Sequence, residues 1–186
     1  MAWTDVFVYG TLKRDFPNYA LYLGPAEERK KAKFVGEAVT CTAYPLVVGG
    51  DRCVPFLLSL PGEGVPIAGE VYSVDPTTLE ALDILEGISS GYYKRVSIPV
   101  SCQGKTSDCF VYMRVVDGDG SDDVFQLTQL ERYASYTREA AQDYRSRSAF
   151  PNMDIVALIH DLDTAARADV QAKLEAGVAL HQALLS

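Results

Sequence analysis

Short runs of β-branched and aromatic residues, each ended by glycine, proline or aspartate, fill most of the first 116 residues of this 186-residue chain. Such runs are typical of strands joined by tight turns. Gly49-Gly50-Asp51 and Gln103-Gly104 lie between apolar runs and predict two hairpin turns. We predict strands at residues 5–9, 33–40, 44–48, 54–60, 67–74, 92–100 and 108–116.

One helix interrupts this strand-rich part. Residues 75–87 begin with Asp75, a favourable N-cap, followed by Pro76 in the first turn. Gly87 stands where a helix of this length ends. A second short helix is expected near Asn18.

Beyond residue 117 the apolar residues follow a helical spacing, which predicts helices at 125–147 and 155–184. Short strands followed by helices indicate an α+β fold built on a small barrel or curled sheet. We divide the chain into a barrel domain at 1–123 and a helical C-terminal extension at 124–186 that packs on the same domain. The extension is a candidate homodimer contact, although packing within one chain is the simpler interpretation.

Composition excludes several classes of protein. Lysine and arginine number 17 against 25 aspartates and glutamates, and the net charge of −8 has the wrong sign for a nucleic-acid partner. No apolar run approaches the ~20 residues that cross a bilayer, and the first residues lack the pattern of a secretory signal. We therefore expect a cytoplasmic protein with no nucleic-acid or membrane partner.

Cysteines and histidines form no pattern of a metal site or an activated nucleophile. The four cysteines contain no C-x-x-C pair, and the two histidines, His160 and His181, both fall late in the chain. A zinc site, a Ser-His-Asp triad and a Cys-His pair are therefore disfavoured, and reduced cysteines are expected. The acidic stretch at 117–123 departs from the EF-hand pattern and is interpreted as a solvated linker.

The helix predicted at 75–87 carries an acid where its buried stripe calls for leucine. Leu79 and Leu82 define that stripe, and Glu86 is the next position on it. Glu86 also falls in the last turn, where the helix dipole disfavours a carboxylate. Burial and the dipole both favour the neutral form, so we expect a raised pKa, which suits general acid–base chemistry.

Two interpretations of Glu86 stand on this pattern alone. In the first, its carboxyl group is a tuned catalytic acid. In the second, the carboxylate reaches solvent at the helix end or pairs with Lys94 or Arg95. Glu80 and Asp83, by comparison, can turn toward water.

The segment Tyr9-Gly10-Thr11-Leu12 directly follows the first predicted strand. Glycine at a strand end permits a sharp turn and a close approach of the backbone to a ligand. Successive N–H groups there can form an anion site. The segment is not a nucleotide loop, because neither G-x-G-x-x-G nor the Walker pattern follows. By itself it also fits an ordinary turn.

Five separated motifs, in the right order, resemble those of the γ-glutamylcyclotransferase-like family, and above all its γ-glutamylamine cyclotransferase branch. They are VFVYGTLKRDFPN at 6–18, YPLV at 44–47, VPFLLSLPGEGVPIAGEVYSVD at 54–75, LDILEGISSGYYKR at 82–95 and CFVY at 109–112. The resemblance implies a small mixed β-barrel with flanking helices, and a reaction that needs neither metal nor cofactor.

The resemblance also implies roles for individual residues. The glutamate of the L-E-G segment, Glu86, matches the family's catalytic acid–base residue. The residues that match the segment holding the substrate's glutamyl group are Tyr9, Gly10, Thr11 and Leu12. Three more match positions near the family's cavity: Tyr93, Arg95 and Tyr112. Asp15 departs from the family, in which many relatives have glycine there, and leaves the shape of that loop open.

The partner implied by the resemblance is a small γ-glutamyl substrate, whose amine is released as the glutamyl group cyclises to 5-oxoproline. A γ-glutamyl amine such as γ-glutamyl-ε-lysine is the first expectation. Two alternatives stay open. One is the same chemistry on γ-glutamyl amino acids or glutathione-like peptides, and the other is a non-catalytic module that binds small molecules on the same fold.

Overall fold

The computed structural model describes residues 2–116, 122–145 and 164–175. In chain order these residues form β1 (Thr4–Val8), α1 (Leu23–Glu28), β2 (Ala32–Thr40), β3 (Leu46–Gly49), β4 (Val54–Leu57), β5 (Ala68–Val74), α2 (Pro76–Leu85), β6 (Lys94–Cys102), β7 (Lys105–Met113), α3 (Asp122–Thr128), β8 (Arg132–Tyr133) and α4 (Thr164–Glu175).

Five of the strands close into a barrel in the order β1-β5-β2-β6-β7. Neighbouring strands are antiparallel except at the seam, where β1 runs parallel to β7 with Val6 opposite Phe110. The turn between β6 and β7 has positive φ at Gln103 and Gly104, 50° and 77°, as a type I′ hairpin turn requires. The barrel is therefore mixed, and the hairpin predicted at this turn is confirmed.

Strand β1 is buried on both of its faces. Val6 and Val8 belong to one buried cluster together with Leu82 of α2, whereas Phe7 and Tyr9 belong to a second cluster. Neighbouring side chains on a strand point to opposite faces, so β1 separates the two cores. The residues that follow β1 consequently start from a backbone that is packed on both sides.

The remaining strands form a second sheet in the order β4-β3-β8. Leu46 of β3 and Leu57 of β4 are fully buried in the same cluster as Val100 and Val111 of the barrel. The Arg114 N–H donates to the Leu57 carbonyl oxygen at 2.8 Å. This sheet is thus joined to the barrel by a shared core and by main-chain hydrogen bonds.

The helix predicted at 125–147 is wrong. Helix α3 ends at Thr128, and β8 follows it and pairs antiparallel with β3. Beyond β8, Tyr136 is fully buried in a core cluster, and Lys13 Nζ donates to its carbonyl oxygen at 2.7 Å. A sheet partner and a buried anchor override the helical spacing of the apolar residues, which by itself does not reveal what covers them.

The remaining sequence-based predictions agree with the structure only in part. The short helix expected near Asn18 begins later, at Leu23. Of the helix predicted at 155–184, residues 164–175 are helical as α4, and the rest lies outside the described residues. The division at residue 123 stays a prediction. All four cysteines are free thiols, and none of the described helices is long and apolar enough to cross a membrane.

Helix α2 matches its prediction closely because its ends are encoded locally. Asp75 Oδ1 accepts a hydrogen bond from the Thr78 N–H at 2.8 Å, and Pro76 occupies the first turn. Gly87, just past the end, has φ 63°, a left-handed conformation that glycine adopts at no steric cost. The helix therefore stops at a defined residue.

We expect Asp75→Ala to lower the free energy of unfolding by about 1 kcal/mol, since it removes the cap of α2. Urea unfolding followed by circular dichroism measures the change. Asp143→Ala, at an exposed aspartate outside the helices, is the matched control and should change stability little. Equal effects of the two substitutions would contradict a capping role.

Candidate active site

A pocket opens where the end of β1 meets the end of α2. It encloses about 690 Å³, its open mouth included. The pocket brings together all of the predicted site residues except Arg95. Its walls consist of Phe7, Val8, Tyr9, Gly10, Thr11, Leu12, Asn18, Arg52, Val54, Pro55, Leu85, Glu86, Tyr92, Tyr93, Tyr112 and Tyr144.

Glu86 is the residue that ends α2. It is the C-cap, with φ −83° and ψ −2°, and its N–H donates to the Leu82 carbonyl oxygen at 2.9 Å. Leu82 is fully buried, so the last turn of the helix is held in place. Glu86 itself is half-buried and lines the pocket. The acid that interrupts the apolar stripe of α2 thus belongs to a pocket wall.

The charge of the Glu86 carboxylate acts on two buried phenols that line the same pocket. Burial is the largest cause of the raised pKa of Tyr9, and the charge of Glu86 adds to it. Burial also raises the pKa of Tyr112, followed by the charge of Asp83, a hydrogen bond to Asp83 and the charge of Glu86. Both phenols are therefore protonated at neutral pH and act as hydrogen-bond donors.

The Tyr9 hydroxyl connects the barrel to the second sheet. It donates to the Tyr112 carbonyl oxygen at 2.9 Å and accepts from the Leu57 N–H at 3.3 Å. On another wall, the Tyr93 hydroxyl donates to the Pro55 carbonyl oxygen at 3.1 Å. Two buried tyrosines thus hold strand β4 against the pocket.

Asp83, which the sequence allowed to turn toward water, is bound instead by a pocket-lining tyrosine and an arginine. Its Oδ1 accepts from the Tyr112 hydroxyl at 2.8 Å, and its Oδ2 accepts from Arg95 Nη1 at 2.5 Å. Arg95 and Tyr112 face each other in the β6–β7 register, so their side chains share one face of the barrel. Asp83 therefore does not turn toward water, because two donors on that face bind it.

Arg95 supports this contact and does not line the pocket. Its guanidinium pairs with Asp83 and lies 4.9 Å from the centre of the Phe110 ring. One signal for the arrangement was present in the sequence: Asp83 precedes Glu86 by three residues, which places the two acids one turn apart on one side of α2. The partner strands, however, are known only from the fold.

Gly10 lies against a proline of the neighbouring sheet. A Cβ atom on Gly10 would lie 2.6 Å from Pro55 Cγ. Any larger residue would push the proline away, and the Pro55 carbonyl oxygen is the acceptor of the Tyr93 hydroxyl. Glycine is thus required here for a close approach, as its place at the strand end indicated.

Asn18 holds the loop at residues 9–12 in place, and the main-chain N–H groups of this loop are not used in that contact. Asn18 Nδ2 donates to Thr11 Oγ1 at 2.8 Å, and the Asn18 N–H donates to the Thr11 carbonyl oxygen at 3.0 Å. Within the described parts of the chain, the N–H groups of Gly10, Thr11 and Leu12 donate no hydrogen bond to the protein. Three successive amides on the pocket wall can therefore bind an anionic group.

Asp15 adopts the left-handed backbone conformation, with φ 69°. Aspartate tolerates this region better than most residues. The loop accordingly folds back on itself, and the Phe16 N–H donates to the Lys13 carbonyl oxygen at 3.1 Å. An aspartate at this position is therefore compatible with a tight turn.

Nine of the sixteen lining residues, Arg52 and Tyr144 among them, are not among the site residues predicted from the sequence. Arg52 lies in the connection between β3 and β4, and Tyr144 lies beyond β8. The Arg145 N–H donates to the Arg52 carbonyl oxygen at 2.9 Å, which joins the two segments. No local sequence pattern predicts that these two residues line the pocket together, because their proximity depends on the path that the chain takes after β8.

Charge in the pocket is confined to Glu86 and Arg52 among the described lining residues. The other polar groups are phenols, one hydroxyl, one carboxamide and main-chain amides. In the parts of the chain that the structure describes, no group of three histidine, cysteine, aspartate or glutamate side chains could hold a metal ion. The pocket thus combines one carboxylate with fixed hydrogen-bond donors, which is an arrangement suited to proton transfer.

Known proteins share both the motifs and the fold. The family described as Gamma-glutamyl cyclotransferase, AIG2-like matches residues 6–135. The gamma-glutamylaminecyclotransferase of Rattus norvegicus is 40% identical over 115 residues, covering 58% of this chain and 75% of the rat protein. An Arabidopsis thaliana relative, named for its likeness to gamma-glutamylcyclotransferases, is 36% identical over 160 residues, covering 80% and 84%. The crystal structure of a Mus musculus AIG2-like protein has a TM-score of 0.67 and 32% identity, covering 81% of this chain and 100% of that one.

A closed mixed barrel with an acid at the pocket wall is an enzyme fold of the cyclotransferase class. The chain belongs to the gamma-glutamyl cyclotransferase, AIG2-like family, and the resemblance seen in its motifs is confirmed. The match to the plant relative is too long to be confined to the barrel, so part of the chain after the barrel is also shared.

We expect Gly10→Ala to destabilise the protein by about 1–3 kcal/mol, because the added methyl group overpacks the contact with Pro55. In the background of Pro55→Ala, which removes the Cγ atom, the same change should cost clearly less. Urea unfolding of the two single variants and the double variant measures this coupling. Additive effects would contradict a clash between the two residues.

We expect stability to fall as the pH rises above about 10. Unfolded tyrosines release their protons near that pH, whereas the raised pKa of Tyr9 and of Tyr112 keeps them protonated in the folded protein. Their contribution is therefore complete below about pH 10 and is lost as the pH rises toward the folded-state pKa. Urea midpoints measured across this range check the expectation. Tyr112→Phe should make the decline shallower, and an unchanged decline would contradict the assignment.

Proposed function

We propose that this protein is a cyclotransferase that releases an amine from γ-glutamyl amines and closes the glutamyl group to 5-oxoproline. The observation that carries the proposal is the meeting of Glu86 with the 9–12 loop at one pocket, in a member of this family. Both features were identified separately in the sequence. Their convergence in one pocket is what a single reaction centre requires.

The nucleophile belongs to the substrate. The α-amine of the glutamyl group attacks its own γ-carbonyl carbon, a new C–N bond closes a five-membered ring, and the C–N bond to the leaving amine breaks. The protein has to hold the glutamyl chain curled, which supplies the proximity that intramolecular attack requires. It also has to move protons and stabilise the charge on the carbonyl oxygen.

Glu86 is the proton carrier in this proposal. As a carboxylate it takes a proton from the attacking nitrogen, and as a carboxylic acid it returns a proton to the leaving nitrogen. The second step is needed because an alkyl amide anion is too basic to be expelled. The substrate ammonium loses two protons in all and the leaving amine gains two, so that Glu86 ends each turnover in its starting state. The raised pKa of Glu86, which we expect from its place at the helix end, stays a prediction.

The amides of Gly10, Thr11 and Leu12 hold the glutamyl group and supply donors for developing negative charge. One fixed donor to an oxyanion is typically worth ~3 kcal/mol of transition-state stabilisation. In the described parts of the chain these three N–H groups donate to no other protein group, which supports the assignment. An N–H group already bound to a protein acceptor would have to break that hydrogen bond before it could bind the substrate.

Tyr9, Tyr93 and Tyr112 form the buried wall around this chemistry. All three are less than a tenth exposed, and exclusion of water strengthens the electrostatic interactions inside the pocket. Asp83 holds the Tyr112 phenol by a 2.8 Å hydrogen bond. We assign these residues to positioning and shielding, with no proton transfer of their own.

The name of the rat relative favours a γ-glutamyl amine as substrate. γ-Glutamyl amino acids and glutathione-like peptides would undergo the same chemistry with a different leaving group. A panel of the three compound types, assayed for 5-oxoproline, separates these substrates. Release from none of them would favour a non-catalytic binding module.

Two further assignments belong to the proposal. Free thiols at all four cysteines support a reducing, cytoplasmic setting. A homodimer through the C-terminal helices stays a prediction, and sedimentation velocity of the full chain would measure it.

We expect Glu86→Gln to lower the rate of 5-oxoproline release by about 10²–10⁴-fold, because glutamine keeps the shape of the side chain but carries no transferable acid proton. The far-UV circular dichroism spectrum should not change. Glu80→Gln, on the same helix and away from the pocket lining, is the matched control and should keep the wild-type rate. A Glu86→Gln rate close to wild type would remove Glu86 from the mechanism.

A further inference from the structure

Arg14, two residues beyond the 9–12 loop, places its guanidinium among aromatic rings and carboxylates. The guanidinium carbon lies 4.9 Å from the centre of the Phe34 ring and 5.5 Å from the centre of the Tyr19 ring. Arg14 Nη2 pairs with Glu27 Oε2 at 3.1 Å. Aromatic faces attract a cation, and a carboxylate adds a charge-assisted hydrogen bond. We term the surrounding group the acidic aromatic cage, which consists of Tyr19, Glu27, Phe34, Glu70 and Tyr72.

The two carboxylates of the cage are also bound by donors other than the guanidinium. Glu27 Oε2 accepts from the Tyr19 hydroxyl at 2.8 Å, and Glu27 Oε1 accepts from the Phe34 N–H at 3.1 Å. Glu70 Oε2 accepts from the Tyr72 hydroxyl at 2.9 Å. The acceptors are therefore held in place by their own neighbours, and a guanidinium that enters the cage does not have to order them.

Tyr72 joins the cage to the core. It is fully buried, and its ring centre lies 5.4 Å from that of Phe34 and 6.3 Å from that of Tyr19. Burial raises the pKa of Tyr72, and the charge of Glu70 adds to this, so the phenol stays protonated and donates to that carboxylate. Fixed rings beside fixed carboxylates favour a planar, delocalised cation over a compact and strongly hydrated ammonium.

Through Arg14, the cage holds the segment that follows the three pocket amides. The Arg14 N–H donates to Glu70 Oε2 at 2.9 Å, so the main chain and the side chain of this residue both bind the cage. On the other side, Lys13 Nζ donates to the Tyr136 carbonyl oxygen at 2.7 Å. The Lys13 N–H donates to the Gly10 carbonyl oxygen at 3.1 Å. The amides assigned to the substrate thus precede a segment that is bound on two sides.

We infer that Arg14 is a positioning residue, whose guanidinium in the acidic aromatic cage fixes the amides of residues 10–12 where they bind the glutamyl group and the developing oxyanion. The inference rests on the proposed function and adds to it a residue outside the pocket. Arg14 is not among the described lining residues. It therefore acts through the loop and does not touch the substrate.

A surface ion pair without consequence for the loop is the alternative. The Arg14 side chain is 47% exposed, and an exposed pair of this kind contributes little by itself. Arg132 and Glu63 form such a pair at 3.2 Å, with the Arg132 side chain 41% exposed. Arg14 differs in that two rings face its guanidinium and that it lies two positions beyond the pocket-lining Leu12.

The first test measures 5-oxoproline release from the γ-glutamyl compound that the wild-type protein cleaves fastest. We expect Arg14→Ala to lower kcat/KM by about 10–100-fold, since a displacement of about 1 Å in a positioned group can cost 10²-fold. Both a higher KM and a lower kcat are expected, because the amides bind the substrate and the transition state. Arg14→Lys, which keeps the charge without the planar group, should give an intermediate value.

Arg132→Ala is the matched control and should keep the wild-type kcat and KM. Thermal unfolding establishes that each variant is folded at the assay temperature, because a role in stability alone would lower the unfolding temperature and leave kcat unchanged. Wild-type kcat/KM in Arg14→Ala would overturn the inference, as would an equal loss in Arg132→Ala. If Arg14→Ala does not fold, Arg14→Lys supplies the same comparison.

The second test asks whether Arg14 acts through the cage. Glu27→Gln removes the charge that pairs with the guanidinium, and we expect it to lower kcat/KM by about two- to fivefold, the range of one exposed charge contact. In the Arg14→Ala background the same substitution should cause no further loss. A double-mutant cycle isolates this coupling. Losses that multiply independently would overturn a role of the cage.

A third measurement needs no turnover. In heteronuclear NMR spectra of Arg14→Ala, we expect the main-chain amide signals of Gly10, Thr11 and Leu12 to shift from their wild-type positions, whereas those of Arg132→Ala should not. Unchanged signals in Arg14→Ala would overturn the inference. Failure of the wild-type protein to release 5-oxoproline from any of the three compound types would instead overturn the proposed function, and the amide signals would then decide separately whether Arg14 positions the loop.

Discussion

The contact of Asp83 with the barrel determines where the end of α2 lies, and the geometry of the pocket depends on it. Asp83 accepts from Tyr112 and Arg95, which face each other on neighbouring strands. The helix supplies the acceptor and the sheet supplies both donors, so the two layers are locked in one relative position. Glu86 follows one turn later and is carried to the pocket wall by the same packing. A side chain at a helix end keeps a fixed position only with such support, because helix ends fray when nothing holds them.

The other half of the pocket depends on β1. Its two buried faces hold the strand rigidly, and the 9–12 loop therefore leaves the barrel at a fixed point. Gly10 lets Pro55 approach, and the Tyr9 hydroxyl joins β7 to β4. Groups assigned to chemistry thus lie directly after the ends of packed elements, while Arg52 and Tyr144 lie in connecting segments. This division is common in enzymes, since connecting segments vary without disturbing a rigid scaffold.

Prediction from the sequence succeeded where the physical cause was local. The cap at Asp75, the left-handed Gly87 and the Gln103-Gly104 turn depend on neighbours within a few residues. The anomaly at Glu86 was visible for the same reason, because a helical stripe repeats over one or two turns. Prediction failed for Asp83, whose partners on β6 and β7 are distant in sequence, and for the helix at 125–147. There, spacing alone indicated a helix, whereas pairing with β3 produced strand β8.

By itself, the sequence determined the element types over most of the barrel, the α+β class and the presence of an acid on the apolar stripe of α2, since these follow from propensity, capping and periodicity. Tertiary structure alone decided which donors bind Asp83, that Arg95 stays out of the pocket, and that Arg52 and Tyr144 both line it. Each of these outcomes joins residues separated by a dozen or more positions. Contacts over such distances are set by the closure of the barrel and the path of the chain around it, and no local pattern encodes either.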